Sequence, residues 1–215
     1  MSVLLETSKG EIVIDLFPEK SPNACFNFIK LCQMKFYNNA LFKSVQKDHI
    51  TQISHSSDLM HSIWSLTTKD PDKIYFEDEY SRKFNKRGLV ATANLGPHLN
   101  SSPFFITLTQ DGQEIAEFKN KHTVFGIVAE GLDVLDAINQ VYTNKDDRPI
   151  QNIRIKHTLI VDDPFENSEG QFGLPEVRYP SRSPSPQREQ ASIKDMDFKE
   201  AAFLEDDVKL DDMAQ

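Results

Sequence analysis

The apolar positions fall first into two short runs, Ser2 to Ser8 and Glu11 to Phe17, flanking Lys9-Gly10. In the second run Ile12, Ile14 and Leu16 share one face, the two-residue period of a strand with a side to bury. Gly10 can take the positive φ of a tight hairpin turn, and Pro18 stops the second strand. The period then changes. Ser21 offers an N-cap, Pro22 suits the first helical position, and Cys25, Phe28, Ile29 and Cys32 recur at helical spacing. An amphipathic helix is expected there, with both cysteines on its buried face.

Asn38-Asn39 marks a turn, and Leu41 to Val45 and His49 to Ile53 alternate as strands do. Between Ser54 and Tyr75 polar clusters surround isolated Ile63, Trp64 and Leu66, which predicts a long surface loop with a short strand around Ile63 to Leu66. Three further strands follow over Leu89 to Ala93, Phe104 to Leu108 and Thr123 to Val128, separated by loops rich in Gly, Asn, Ser and Pro. Gly131 to Val141 reads as a second helix, with Val134, Leu135, Ile138 and Val141 on one side and Asp133 and Asp136 near its start. A final strand runs through Ile153, Ile155 and Leu159. Eight short strands and two helices within residues 1–161 predict an all-β dominated domain, a closed barrel capped by the helices, with its terminal strands paired.

Charge divides the chain at the same point. From Asp162 to Gln215 there are 14 acidic and 6 basic residues, so this stretch carries nearly all of the net −9. Its Pro, Ser, Gly and acidic residues cannot bury enough apolar surface to offset chain entropy, and residues 162–215 are expected to be a mostly disordered tail. Within it Ser183-Pro184 and Ser185-Pro186 are similar to proline-directed phosphorylation sites, and Asp195 to Leu210 has the apolar spacing of a weak partner-binding helix. Neither part carries a basic face, so direct nucleic-acid binding is not expected. No apolar run approaches the ~20 residues of a membrane span, and Glu6 and Glu11 interrupt the place of a signal peptide. Two cysteines seven apart form neither a redox pair nor a zinc ligand set, and fit a reducing compartment. His49, His55 and His61 recur at intervals of six without helical or finger spacing, so no metal site is expected.

The middle of the chain carries an order of motifs. Ala93-Asn94-Leu95-Gly96-Pro97 is followed by Asn100-Ser101-Ser102-Pro103-Phe104-Phe105-Ile106-Thr107 and then by Lys121-His122-Thr123-Val124-Phe125-Gly126. In this order and spacing they resemble the signature of the cyclophilin-type peptidyl-prolyl cis-trans isomerases. The N-terminal stretch from Ser2 to Cys32, the segment from His157 to Asn167 and the run Ser181 to Gln190 are similar to a nuclear subgroup in which an RNA-recognition motif follows the isomerase domain, the isomerase-like four proteins. No such motif is found in the chain. The resemblance implies a cyclophilin-like eight-stranded antiparallel barrel over residues 1–161, a monomer without cofactor or metal, and a home in the nucleus, with the cytoplasm as a second location. It implies proline-containing protein segments as partners, and a nuclear protein complex reached through the acidic tail.

The family rotates Xaa-Pro bonds, whose barrier of ~18–20 kcal/mol comes from amide resonance. It uses an apolar pocket for the proline ring, backbone hydrogen bonds to align the peptide, and an arginine that steadies the twisted amide. Carried over to matching positions, the pocket falls on Ile50, Phe105, Phe118 and His122, and peptide alignment on Gln52, Ala93 and Asn94. The departures are as informative. Ser44 stands in the arginine position, His49 where the family usually has Phe, Pro103 where it has Gln, and Glu117 where it commonly has Trp. By strand alternation Lys43 is expected on the opposite face from Ser44, and an ammonium lacks the planar fork of a guanidinium. The resemblance therefore implies either a weakened isomerase or a pocket kept only to read proline within a spliceosome-like nuclear assembly.

Overall fold

The computed structural model describes residues 1–55, 60–79, 83–166 and 168–174. Eight strands form one antiparallel sheet: β1 (Ser2–Thr7), β2 (Gly10–Leu16), β3 (Leu41–Gln46), β4 (Ile50–Ser54), β5 (Leu89–Thr92), β6 (Phe104–Thr107), β7 (Val124–Glu130) and β8 (Ile155–Ile160). Their order across the sheet is β3-β4-β6-β5-β7-β2-β1-β8. The first and last strands pair, as the sequence predicts, with Leu4 opposite Leu159. The sheet curls until its two edges meet at one end. There Leu41 bridges Arg154, Phe42 N–H donates to the Ile153 carbonyl at 3.0 Å, and Ile155 N–H donates to the Ala40 carbonyl at 2.9 Å. Closure is thus a short seam between β3 and β8 rather than a full ladder.

Alternation decides what the barrel holds. Val3, Leu5, Ile12, Ile14, Ile53, Val90, Phe104 and Ile106 point inward and are buried. Helix α1 (Pro22–Gln33) closes the barrel, its Phe28 ring 5.2–5.4 Å from the rings of Tyr37, Phe104 and Phe125. Each such buried ring contributes roughly 1.5–3 kcal/mol. Cys25 and Cys32 face this core, and burial pushes the Cys25 thiol up to about 12. Ser21 precedes α1 as expected but does not cap it; its hydroxyl donates to the Val124 carbonyl at 2.8 Å. The free N–H groups of Asn23 and Ala24 are instead taken by the Glu79 carboxylate, each at 3.0 Å, a cap delivered from 55 residues away.

Helix α3 (Leu132–Asn139) lies over the β1–β2 hairpin. Gly10, at φ +141°, lets Val134 approach so closely that a Cβ there would sit 2.6 Å from its side chain. Gly131, at φ +91°, starts the helix where a Cβ would meet the Glu11 carbonyl at 2.3 Å. The same helix fixes the β3–β4 turn, since Asn139 and Asp48 exchange two hydrogen bonds of 2.8 Å.

One expectation needs correction. The strand expected at Ile63 to Leu66 is a helix, α2 (Ile63–Thr68). A reciprocal cap starts it: Ser65 N–H donates to the Ser62 hydroxyl at 3.2 Å, and Ser62 N–H donates to the Ser65 hydroxyl at 3.1 Å. Packing on the barrel and its helices continues after residue 161. Phe165 and Leu174 join the buried core, and Phe172 stacks on Phe26 of α1 with centroids 4.0 Å apart. Trp64 donates its indole N–H to the Phe172 carbonyl at 2.7 Å, and Asp163 lies 3.7 Å from the buried Lys30 ammonium. Residues 163–166 and 168–174 are therefore a strap across α1 and α2. The Ser183-Pro184 and Ser185-Pro186 pairs and the Asp195 to Leu210 stretch lie outside the described residues.

Candidate functional site

The outward-facing side chains of three neighbouring strands build one surface. Gln52 on β4 stands opposite Phe105 on β6, and Phe105 stands opposite Ala91 on β5. Ile50, two residues before Gln52, shares this face by alternation. The adjacent positions Ile53, Phe104, Ile106 and Val90 point the other way, into the barrel core. A second apolar cluster thus forms on the outside of the wall, with Ala91, Phe105, Ile115 and Val124 buried and Ile50, Ala93 and Phe118 partly so.

Loop residues complete it. The rings of Phe105, Phe118 and His122 meet pairwise at 5.2, 5.2 and 5.0 Å, the two contacts with His122 nearly edge-to-face. Phe118 sits on a single 3-10 turn, Ala116–Phe118, and His122 lies two residues before the start of β7. The four positions expected to line the pocket, Ile50, Phe105, Phe118 and His122, are therefore brought together. Phe84, which the sequence reading misses, lies beneath them, 5.9 Å from Phe105 and 5.5 Å from Phe118. It is buried to 1% exposure although it stands alone among charged neighbours, the one signal that could have pointed to it. A separate water-sized cavity of about 10 Å³, lined by Asn27, Tyr37, Ser101 and Ser102, belongs to the interior and not to this site.

His122 is held in one tautomer. Its Nδ1 lies 3.0 Å from the Thr92 carbonyl, an acceptor only, so Nδ1 carries the proton and Nε2 is left as an acceptor when the ring is neutral. Burial lowers its pKa below the ordinary imidazole value, while the Thr92 carbonyl and the Asp78 carboxylate pull it back up. The ring therefore stays neutral until below the pH at which a free histidine takes up its proton, and protonation would bring a charge into an apolar pocket. Affinity for an apolar ligand at this face is expected to be flat across neutral pH and to fall only on acidification below about 6.5. The His122 titration followed by NMR, alongside a ligand titration at each pH, checks this. Fold stability carries the same sign from this group, present above the unfolded histidine's pKa and lost as pH falls through the folded one.

At two of the aligning positions some polar atoms are already engaged within the protein. The Ala93 N–H is taken by the Pro103 carbonyl at 3.0 Å. Both donors of the Asn94 amide are also used internally, to Asp78 Oδ1 at 3.2 Å and the Lys121 carbonyl at 2.6 Å. What these residues offer a peptide is carbonyl oxygen, not a side-chain donor. Pro103 itself is buried.

At the other rim, Ser44 on β3 is half-buried and stands opposite Gln52, on the same face as the aromatic cluster. The register between β3 and β4 slips between Phe42, opposite Ile53, and Ser44, opposite Gln52, so Lys43 is the extra residue of a bulge. Alternation cannot assign Lys43 to the far face, as the sequence reading supposed, because a bulge breaks the period at that residue. His49 lies 5.4 Å from Phe118, and its Nε2 is 3.3 Å from the Glu117 carboxylate. Two of the departures noted from the family pattern are thus partners. Arg87 is engaged by Asp136, and Lys30 is buried beside Asp163 on the strap.

A curled eight-stranded sheet closed by helices, with an aromatic pocket on its outer wall fed by these loops, defines a cyclophilin-like protein. Residues 2–160 match the family described as cyclophilin type peptidyl-prolyl cis-trans isomerase, and the chain belongs to it. Within that family it is similar to the human protein named Peptidyl-prolyl cis-trans isomerase-like 4, 40% identical over 194 residues that cover 88% of this chain and 38% of the relative. It is 35% identical over 191 residues to Peptidyl-prolyl cis-trans isomerase sig-7 of Caenorhabditis elegans, covering 86% of this chain and 42% of that one. The chain thus spans about two fifths of the length of these relatives. A crystal structure of a Cryptosporidium parvum cyclophilin type peptidyl-prolyl cis-trans isomerase superposes with a TM-score of 0.66 at 27% identity, over 76% of this chain and 98% of that one. The same fold match holds for a structure of that protein in the presence of the dipeptide Ala-Pro, at 26% identity.

Proposed function

We propose that this domain binds exposed Xaa-Pro segments of other proteins at the face formed by Ile50, Gln52, Phe105, Phe118 and His122, and isomerises them slowly. The observation that carries the reading is the convergence of Phe105, Phe118 and His122 within 5.0–5.2 Å beside Gln52, with a hydroxyl where the family places a guanidinium. An apolar, aromatic dimple fits the pyrrolidine ring, and removing the prolyl amide from water weakens its resonance. Without the arginine, the electrostatic part of transition-state stabilisation is missing. Ser44 can donate one hydrogen bond but brings no charge. Binding is tested by titrating labelled protein with an Ala-Pro peptide and its Ala-Ala counterpart. Shifts at Phe105, Phe118 and His122 with the proline peptide alone support the reading, and equal response to both peptides contradicts it. Phe105→Ala is expected to lose at least tenfold in affinity, since a buried ring of this size is worth about 2 kcal/mol or more.

A second reading keeps the pocket and drops the chemistry: a proline reader within a nuclear, spliceosome-like assembly. Two observations favour it, the missing guanidinium at Ser44 and the His49–Glu117 pair at the rim, where a carboxylate meets any incoming peptide. Nuclear residence and an acidic second contact through the tail belong to this same proposal. The absence of turnover with retained peptide binding separates it from the first.

A further inference from the structure

The carboxylate of Asp78 lies in neither the pocket nor the sheet, yet it is completely buried, with 0% of its side chain exposed. Its Oδ1 accepts from the amides of Asn94 at 3.2 Å and Asn100 at 2.7 Å. Its Oδ2 accepts from the His98 N–H at 2.7 Å, and its own N–H donates to His98 Nδ1 at 3.3 Å. One carboxylate therefore gathers both ends and the middle of the loop 94–100. A charge buried this deeply is costly unless its oxygens are satisfied, and here three of its hydrogen bonds come from that loop.

The loop is tied onward. Asn94 gives its other donor to the Lys121 carbonyl, one residue before His122, and Asn100 accepts from the Thr92 hydroxyl at 2.6 Å. The neighbour Glu79 grips the start of α1 and takes part in a 2.7 Å bond from its own N–H to the Thr123 hydroxyl. Asp78 thus stands where the peptide-aligning loop and the segment carrying the pocket imidazole are joined to each other and to the helix.

We propose that Asp78 is the positioning residue of the proline groove: through Asn94 it sets the distance between the Ala93-Asn94 edge and the Lys121-His122 edge. This rests on the peptide-binding reading above. It assigns affinity to a residue that never touches the ligand.

The test compares Asp78→Asn, Asn94→Ala and the double variant, reading affinity for the same Ala-Pro peptide by NMR titration and fold by thermal melting. Asp78→Asn removes the charge and turns one of its two acceptor edges into a donor, so that either the His98 N–H or the two side-chain amides lose their acceptor. It is expected to weaken the peptide about tenfold, with amide shifts confined to residues 94–100 and 121–123. Because both substitutions cut one chain of contacts, the double variant is expected to bind no worse than the weaker single variant, rather than a hundredfold worse than the parent. The His122 midpoint is also expected at lower pH in Asp78→Asn, since a carboxylate that favours its charged form is gone. Losses that multiply, or an Asp78→Asn protein that binds as the parent does, would overturn the proposal. Should Asp78→Asn not fold, Asn94→Ala alone decides, since full affinity there breaks the only route argued. A parent protein that binds no proline peptide at all would instead sink the reading on which this rests.

Discussion

Ser44→Arg is expected to raise turnover of a short Xaa-Pro peptide by about a hundred- to a thousand-fold, the usual worth of one transition-state electrostatic partner, ~3–4 kcal/mol. The expectation follows from register. The bulge at Lys43 places Ser44 directly opposite Gln52, on the face that carries Phe105, so a guanidinium at position 44 would extend over the aromatic pocket. Peptide affinity should change much less than turnover, because the gain is realised only in the twisted amide. Lys43→Ala is the companion variant, since the bulge frees Lys43 from the alternation rule. Unchanged basal turnover there, together with a gain in Ser44→Arg, identifies position 44 as the missing group. No gain in Ser44→Arg would mean that His49 and Glu117 have already narrowed the approach to the pocket.

The second large effect is on stability. Lys30 is buried to 2% side-chain exposure, with Asp163 at 3.7 Å and the Phe165 carbonyl at 3.4 Å, and Asp163 also accepts from Gln33 at 2.6 Å. Asp163→Ala removes a carboxylate beside the buried ammonium and the acceptor of the Gln33 amide, and breaking a buried ion pair of this kind typically costs about 3 kcal/mol. For a domain of this size that corresponds to a fall in melting temperature of roughly 6–12 °C. Ending the chain at residue 161 is expected to be worse, because it also uncovers Phe26 and Trp64, against which Phe165 and Phe172 lie. A chain ending at residue 174 is expected to melt above one ending at residue 161. Coincident melting curves for chains ending at 161 and 174 would show that the strap contributes nothing.

Much of this was legible in the residues. The β1–β2 hairpin follows from Ile12, Ile14 and Leu16 on one face, and α1 follows from the change of period after Pro22. Phe105 and His122 could be placed because they sit inside motifs of fixed order, and Phe118 because it lies at a set distance before the second of these. What was not legible is instructive in each case. Helix α2 has only six residues, and its cap is two serines rather than the usual serine and carboxylate. The bulge at Lys43 leaves no trace in composition, and it alone decides which face the residue serves. The packing of the strap is hard to read from sequence because Phe165, Phe172 and Leu174 are scattered among acids and glycines, and Phe26 and Trp64, which Phe165 and Phe172 meet, are distant in the chain. The Asp78 contacts likewise span up to 22 residues, and nothing in the short run around it announces them.

The most direct measurement is exchange NMR on an Ala-Pro peptide mixed with the unaltered protein, following cis-trans exchange of the peptide and the protein's own shifts in one sample. The expected result is a specific response at Phe105, Phe118 and His122 with exchange at least a hundredfold slower than an arginine-bearing cyclophilin supports under the same conditions. Exchange as fast as that cyclophilin, or a peptide response located away from those three rings, would contradict a proline pocket that has lost its charge.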